Sequence, residues 1–461
     1  MRDRIFASGE ALRRGLARSG QTVLLPALGG LFVVVLMRRA PQAVADTSTY
    51  LAHAMHRTPG YPLFLDVMQR VGGDRYLVAV QLTQLVVGVV CALHLTRTLR
   101  CLFSLPLWLA ALTHLLLLVP QARYGHVAAT ESLSYSLFLL LLSLLTRSFF
   151  DRSQRSVLGV AATLFLLVLV RPQFVFLFPL SALYLGWLFV SRRALRRNLV
   201  AAAAFAVLLP GSVLAQAVYN LVFHGRFARI PFTGVQAITV ALYLAEPGDE
   251  QLLPPGRGRQ YFAHLLRQVQ AHGWHRHARP PGRSYFDHFN QVYVHTYLDA
   301  VIPGYLRLLG KDALGPDDWV ELDRLTLDIA LRMFLHRLGP MALHVLKQMQ
   351  ETAGHLPLLM VCLVVLPLLL HQRTGMPGAL ALVAVGMMGL ANYVLVALVE
   401  PLGARYTMYT EHVQIPFLVA FCVSLVRGGI PTAVGAMPVA GRILSCQPLG
   451  QPLKGQASSP A

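Results

Sequence analysis

Residues 156–190 read SVLGVAATLFLLVLVRPQFVFLFPLSALYLGWLFV. As one helix this stretch would be about 52 Å long at 1.5 Å per residue, too long for a hydrocarbon core of about 30 Å. Arg171-Pro172 interrupts it, and a proline disfavours helix at the residue before it. The flanks decide between one crossing and two. Arg147, Arg152 and Arg155 precede the stretch, and Arg192, Arg193, Arg196 and Arg197 follow it. Arginine-rich loops stay on the cytoplasmic side. With both clusters there, the stretch crosses twice.

Working outward, the chain of 461 residues is 55% hydrophobic and only 13% charged, with a mean hydropathy of +0.54. That is outside the balance of soluble domains. Apolar runs at about 21–37, 76–96, 101–120, 129–146, 156–170, 172–190, 199–222, 356–371, 377–398 and 411–426 give ten candidate spans. Arg2, Arg4, Arg13, Arg14 and Arg18, then Arg97 with Arg100, Arg373 and Arg427 all fall inside if both termini are cytoplasmic. The expected fold is an all-α polytopic membrane protein. Its first outer loop carries short amphipathic helices, and one large helical outer loop spans about 223–355. Residues 1–426 form the membrane domain. The Gly-, Pro- and Ser-rich segment 427–461 reads as a disordered cytoplasmic tail.

The formal charge of +19 could suit nucleic acid, but the arginines cluster beside span ends, so no nucleic-acid partner is expected. The five cysteines show no metal-site spacing. The first apolar run is followed by Arg38 and Arg39 rather than by a small-residue cleavage site, and reads as a retained span.

This orientation places Asp46, Arg57, Glu131, Arg171, Glu400 and Arg405 at the outer ends of spans, which points to one polar chamber on that face. In the large loop, Tyr285, Phe289, Tyr293 and Tyr297 recur every four residues along one helix face. They suit an interfacial aromatic belt or the lining of a sugar groove. Residues 319–349 read as amphipathic helix near the membrane surface. His272, His275 and His277 lie in HGWHRHARPPGR with no acid nearby in sequence, and read as a basic, solvated loop that meets lipid phosphates.

The segment VADTSTYLAHAMHRTPGYPLFL, residues 44–65, then gains a meaning. An acid closes the first span and Arg57-Thr58-Pro59-Gly60-Tyr61-Pro62 follows. This resembles the first outer loop of the C-type superfamily of membrane glycosyltransferases, relatives of which include protein O-mannosyltransferases and lipid A aminoarabinose transferases. Tyr124-Gly125-His126 and Thr130-Glu131-Ser132 resemble the family's second outer loop. Leu169-Val170-Arg171-Pro172, the stretch from Asn220 to Phe227, and Glu400 to Tyr406 resemble later elements in the same order. The resemblance implies transfer of a sugar from a polyprenyl-phosphate donor to an envelope glycan, lipid or protein acceptor, at the outer face of a bacterial inner membrane. It makes Asp46 the catalytic acid residue of the first loop. Asp46-Thr47 replaces the Asp-Glu of protein O-mannosyltransferases, which points away from a protein acceptor of that kind.

The chemistry needs such residues. Phosphate is already a good leaving group and needs cations, while the acceptor needs a base. A direct displacement then inverts the anomeric centre. Asp46 is the candidate base, with Glu131 orienting the acceptor or sharing that role. Arg57, Arg171 and Arg405 are candidate donor-phosphate partners, since a guanidinium binds phosphate through two donors. Tyr50, Tyr61 and Tyr406 are candidate acceptor or lipid contacts. No cofactor is required and no metal site is assigned, although a divalent cation is compatible with the chemistry. Membrane lipids are the other expected partners. Each residue has a structural alternative. Asp46 could cap the next helix through Ser48 or Thr49. Arg57 and Arg171 could snorkel, and Glu131 could mark a helix start. Glu400 could pair with Arg405, and Tyr61 and Tyr406 could sit in an interfacial belt. The competing functions are a transporter or flippase of a lipid-linked sugar, which would need polar groups near the bilayer midplane, and an O-antigen ligase- or polymerase-like enzyme.

Overall fold

A computed structural model of the chain describes residues 23–151, 153–191, 195–354, 356–374 and 377–426. The arginines at positions 2, 4, 13, 14, 18, 152, 192, 193 and 427, and the 427–461 segment, lie outside the described residues. Among the described residues the chain is helical without a β-strand; one isolated parallel bridge joins Gln42 to Val127.

Six helical segments among them are long and apolar enough to cross a membrane: Gly60–Phe103, Thr130–Asp151, Pro172–Val190, Asn198–His224, Gly378–Val399 and Arg405–Val426. Shorter apolar helices cover Val23–Leu36, Gln154–Val170, Thr233–Leu244 and Leu359–His371.

The break at Arg171-Pro172 is present. Helix α7 (Gln154–Val170) stops at Arg171, whose backbone is extended, and Pro172 opens the 3-10 turn Pro172–Phe176 leading into α8 (Leu177–Ser191). Proline is well placed there, because the first residues of a helix have no intrahelical use for an N–H.

Other boundaries move. Helix α4 (Tyr76–Phe103) continues through Arg97 and Arg100, good helix formers, and stops only where Ser104 turns left-handed before Pro106. Helix α5 (Leu107–Tyr124) therefore starts later than its apolar run. Helix α6 (Thr130–Asp151) is longer than expected, and α18 (Ala404–Val426) begins seven residues earlier than 411, taking in a polar first turn that carries Arg405.

Contacts gather one end of these helices. Gln81 of α4 donates to the carbonyls of Leu36, which ends α1 (Val23–Leu36), and of Arg39 just beyond it. Gln84 donates to Gly125 and Val127 between α5 and α6. Thr58 donates to Val170 at the end of α7. His224, closing α9 (Leu195–His224), pairs with the carbonyl of His53. At the opposite end Phe103 packs on Phe150 and against Gly378, in the first turn of α17 (Pro377–Val399). A continuous apolar core including Leu95, Phe138, Leu164, Leu382 and Phe417 lies between the two ends.

The large loop builds its own core. Helix α10 (Thr233–Leu244) is buried almost throughout and packs on α14 (Pro316–His336). Most of the aromatic stripe faces inward, while its last member, Tyr297, is half-buried against Phe232 and Tyr293. Tyr285, Phe289 and Tyr293 are buried, with the Tyr285 hydroxyl 2.7 Å from His344 Nδ1 and the Tyr293 hydroxyl donating to the Val399 carbonyl at 2.9 Å. The stripe faces other helices because the loop is thick enough to have an interior. Residues 319–349 divide into α14 and α15 (Leu338–Ala353), broken at Arg337, which binds Glu246 and Asp249. Glu246 also pairs with Arg276, so the His-rich segment does have an acid against it in space.

Candidate functional site

The first loop is short and heavily tied. Helix α2 (Ala45–Leu51) begins after Val44, whose N–H donates to Thr47 Oγ1 at 2.9 Å; the Thr47 hydroxyl in turn donates to the Ala128 carbonyl at 2.8 Å. The helix thus starts at Ala45 with no side-chain cap, and Asp46 sits in its first turn. That corrects the capping alternative: the Asp46 carboxylate is turned to Arg57, which donates from Nη2 to Oδ1 at 2.6 Å. Arg57 also donates from Nε to Thr49 Oγ1 at 2.8 Å and lies 4.7 Å over the Tyr50 ring. One and three residues on, Thr58 and Gly60 hold the loop against the end of α7, beside Arg171.

Three arginines and two acids meet here. Arg57 holds Asp46, and Arg405 Nη1 lies 3.7 Å from Asp46 Oδ2. Arg405 Nε is 4.0 Å from Glu131 Oε1, which Arg171 Nη1 approaches to 3.0 Å. The order is Arg57, Asp46, Arg405, Glu131, Arg171, with signs alternating and one cation in excess. All five of these sequence-expected residues come together although they lie on four separate segments of the chain.

The cluster runs from open to closed. Side-chain exposure is 49% for Arg405, 32% for Asp46 and 21% for Arg57, but 7% for Arg171 and 8% for Glu131. Snorkelling is therefore wrong for Arg171: it is buried in an ion pair, 4.9 Å over the Tyr406 ring. Arg57 is likewise ion-paired rather than reaching for water. Glu131 keeps its helix-start position in the first turn of α6 while pairing with Arg171. The Glu400–Arg405 pair is also corrected. Glu400 accepts from Gln236 of the large loop, and Arg405 goes to the two acids of the cluster. Burial raises the Glu400 carboxyl above the usual range, against the pull of Arg405.

The tyrosines do not form a belt. Tyr61 is fully buried and donates to Gln84 Oε1 at 3.0 Å, so it is out of reach of a substrate. Tyr50 is buried against Tyr61 and under Arg57. Tyr406 lies between Arg171 and Arg405, and its hydroxyl accepts from Arg405 Nη2 at 2.6 Å.

Neutral side chains complete the frame, and sequence reasoning passed over them. Arg171 Nε donates to Gln173 Oε1 at 2.8 Å, Gln173 Nε2 to Asn392 Oδ1 at 2.7 Å, and Asn392 Nδ2 to the Tyr406 carbonyl at 2.8 Å. This circuit joins α7, α17 and α18 around the buried end of the cluster. Asn392 carried a usable signal, as an amide inside an otherwise apolar span.

Electrostatics set the charge of the candidate base. Burial pushes the Asp46 carboxyl up, but the charge and hydrogen bond of Arg57, with Arg405 and Arg171 further off, outweigh it and hold Asp46 below the usual carboxylate range. Asp46 is ionised at neutral pH. Among the described residues no group of three His, Cys, Asp or Glu side chains is placed to hold a metal ion.

No family model matches the chain, and neither does any curated protein or solved structure.

Proposed function

We propose that the chain is a membrane glycosyltransferase of the polyprenyl-phosphate-dependent kind, acting at the end of the helix bundle where Asp46 lies. The observation that carries this reading is the alternating cluster of Arg57, Asp46, Arg405, Glu131 and Arg171, with its carboxylate-and-guanidinium end open. Arg57 and Arg405 are the cations a donor phosphate would meet. Arg171, buried with Glu131, supports the cluster from beneath.

In the proposed step the acceptor oxygen forms a bond to the anomeric carbon. The bond from that carbon to the phosphate oxygen breaks, and its electron pair leaves with the phosphate. The acceptor proton passes to Asp46. Attack opposite the leaving group inverts the centre. The arginines stabilise charge developing on the phosphate in a partly desolvated site.

The membrane setting fits a lipid donor. Helix α3 (Gly60–Gly72) exposes Leu63, Val67 and Val71 at four-residue spacing beside the site, an apolar stripe suited to the bilayer surface. Within the bundle, an apolar cavity of about 160 Å3 between α6, α7, α8 and α17, lined by Leu141, Leu164, Leu177, Trp187 and Met388, could take part of an isoprenoid chain. In full, the proposed topology has ten spans, both termini cytoplasmic and residues 223–355 outside, in a bacterial inner membrane.

The test is transfer from polyprenyl-phosphate sugars by purified protein in detergent. Asp46→Asn keeps the shape and loses the base, so transfer should fall about 10²–10⁴-fold. Parental transfer by a folded Asp46→Asn protein would end the catalytic assignment.

A further inference from the structure

Helix α2 ends in a motif that usually carries glycine. The Ala54 N–H donates to the Thr49 carbonyl at 2.9 Å and the His53 N–H to the Tyr50 carbonyl at 3.1 Å. This is the paired hydrogen-bond pattern of a Schellman ending, and it places His53 at the left-handed position with φ of 49°. Glycine takes that conformation without strain; a side chain with a Cβ does so at a cost. A residue that breaks a local backbone rule needs a compensating role elsewhere.

The His53 ring supplies one. Nδ1 lies 2.9 Å from the Tyr219 hydroxyl on α9, and Nε2 lies 3.2 Å from Asp66 Oδ1 on α3. The ring stacks on Phe223 with centroids 4.0 Å apart and planes 7° from parallel. His224 Nε2 is 2.7 Å from the His53 carbonyl, so main chain and side chain are both held. The segment fixed this way is short. It leads from α2, which carries Asp46, to Arg57, whose N–H donates to the Ala54 carbonyl at 2.8 Å.

We infer that His53 is the positioning residue of the site: it pins the turn that brings Arg57 back onto Asp46, using α3 and α9 as fixed points. This rests on the reading of Arg57 as a phosphate partner. Neutral His53 would accept from Tyr219 at Nδ1 and donate to Asp66 from Nε2. Its role is geometric, and it touches neither substrate nor reacting atoms.

The experiment measures binding of farnesyl phosphate to purified full-length protein and to His53→Gly, His53→Asn and Tyr219→Phe, with the folded fraction fixed by gel filtration. His53→Gly relieves the backbone but removes the ring, so affinity should fall about tenfold, the worth of one charge-assisted hydrogen bond at Arg57. His53→Asn, which tolerates the left-handed region and keeps one polar contact, should recover part of that loss. Tyr219→Phe leaves His53 in place and should weaken binding a few-fold. Parental affinity in folded His53→Gly would overturn the inference while leaving the phosphate reading intact. If His53→Gly does not fold, Tyr219→Phe decides alone, and parental affinity there overturns it. Absence of farnesyl phosphate binding by the parent protein would remove both the phosphate reading and the inference built on it.

Discussion

Gly60 and Leu169 touch main chain to main chain. A Cβ on Gly60 would lie 2.7 Å from the Leu169 carbonyl oxygen and 2.9 Å from the Val170 nitrogen. Helix α3 can start against the end of α7 only because residue 60 has no side chain, and Thr58 adds its bond to the Val170 carbonyl there. Arg57 and Arg171 are thereby set at a fixed separation.

Gly60→Ala should therefore destabilise the protein by about 1–3 kcal/mol, the usual cost of overpacking, because backbone cannot swing aside as a side chain could. Gly30→Ala is the control, since a Cβ there meets nothing within 4 Å. Thermal melting of both variants in detergent checks this. Equal melting temperatures would mean the α3–α7 contact is looser than described.

The two ends of the charge cluster should respond differently to loss of a cation. Arg171→Ala leaves Glu131 buried beside only the more distant Arg405, a change of the kind that costs about 3–5 kcal/mol. Arg57→Ala sits at the open end, where stability should change by about 1 kcal/mol or less, while transfer falls by the equivalent of about 2–4 kcal/mol of barrier. Melting temperature and turnover measured together separate the cases. A fully stable Arg171→Ala protein would contradict the buried-pair assignment.

His56 provides a pH handle. Burial, aided by the charge of Arg57, holds its imidazole down to about 4. The ring packs against Phe232 and Trp319 with centroids 5.3 and 5.6 Å away. An unfolded histidine takes up its proton near pH 6.5. Between about 6.5 and 4 the unfolded chain thus binds the extra proton, and stability falls as pH falls through that window. Asp46, with its carboxyl held low, adds stability that is lost only at more acidic pH. Melting temperature followed from pH 7 to pH 4.5 should decline, and His56→Phe should flatten the decline. An unchanged slope in that variant would assign the effect elsewhere.

The ten-span topology has its own check. Single cysteines at positions 275 and 191 should label with membrane-impermeant maleimide from opposite sides in intact cells and inverted vesicles. Labelling of both from one side would refute the arrangement.

How far the sequence carried the site depends on the type of residue. Asp46, Arg57, Glu131, Arg171 and Arg405 were legible because an ion at the edge of an apolar run is expensive without a partner. Their pairing was not. Glu400 stands five residues from Arg405 in sequence, yet it turns to Gln236 across the large loop. Gln173 and Thr49 gave no warning, since a neutral polar residue in a loop or helix end is ordinary. Periodicity found the helix bearing Tyr285, Phe289 and Tyr293 but not what lay opposite it. A one-sided stripe has the same pattern whether it faces lipid, sugar or another helix. His53 was invisible, because its role lies in a backbone conformation that sequence does not display.

The bridge between Gln42 and Val127 bears on which kinds of change the site can absorb. Gln42 donates its N–H to His126 and accepts from the N–H of Ala128, each at 2.8 Å, so main chain joins the two segments here, and the Thr47 hydroxyl adds its bond to the Ala128 carbonyl. Asp46 follows Gln42, and Glu131 follows Val127, at the same short remove along the chain. The spacing of the two carboxylates is accordingly set in large part by residue count along these two tethers. Substitutions among the side chains nearby leave these two main-chain bonds in place. Insertion or deletion of one residue on either tether would shift one acid against the other, and is the kind of mutation this end of the protein tolerates least.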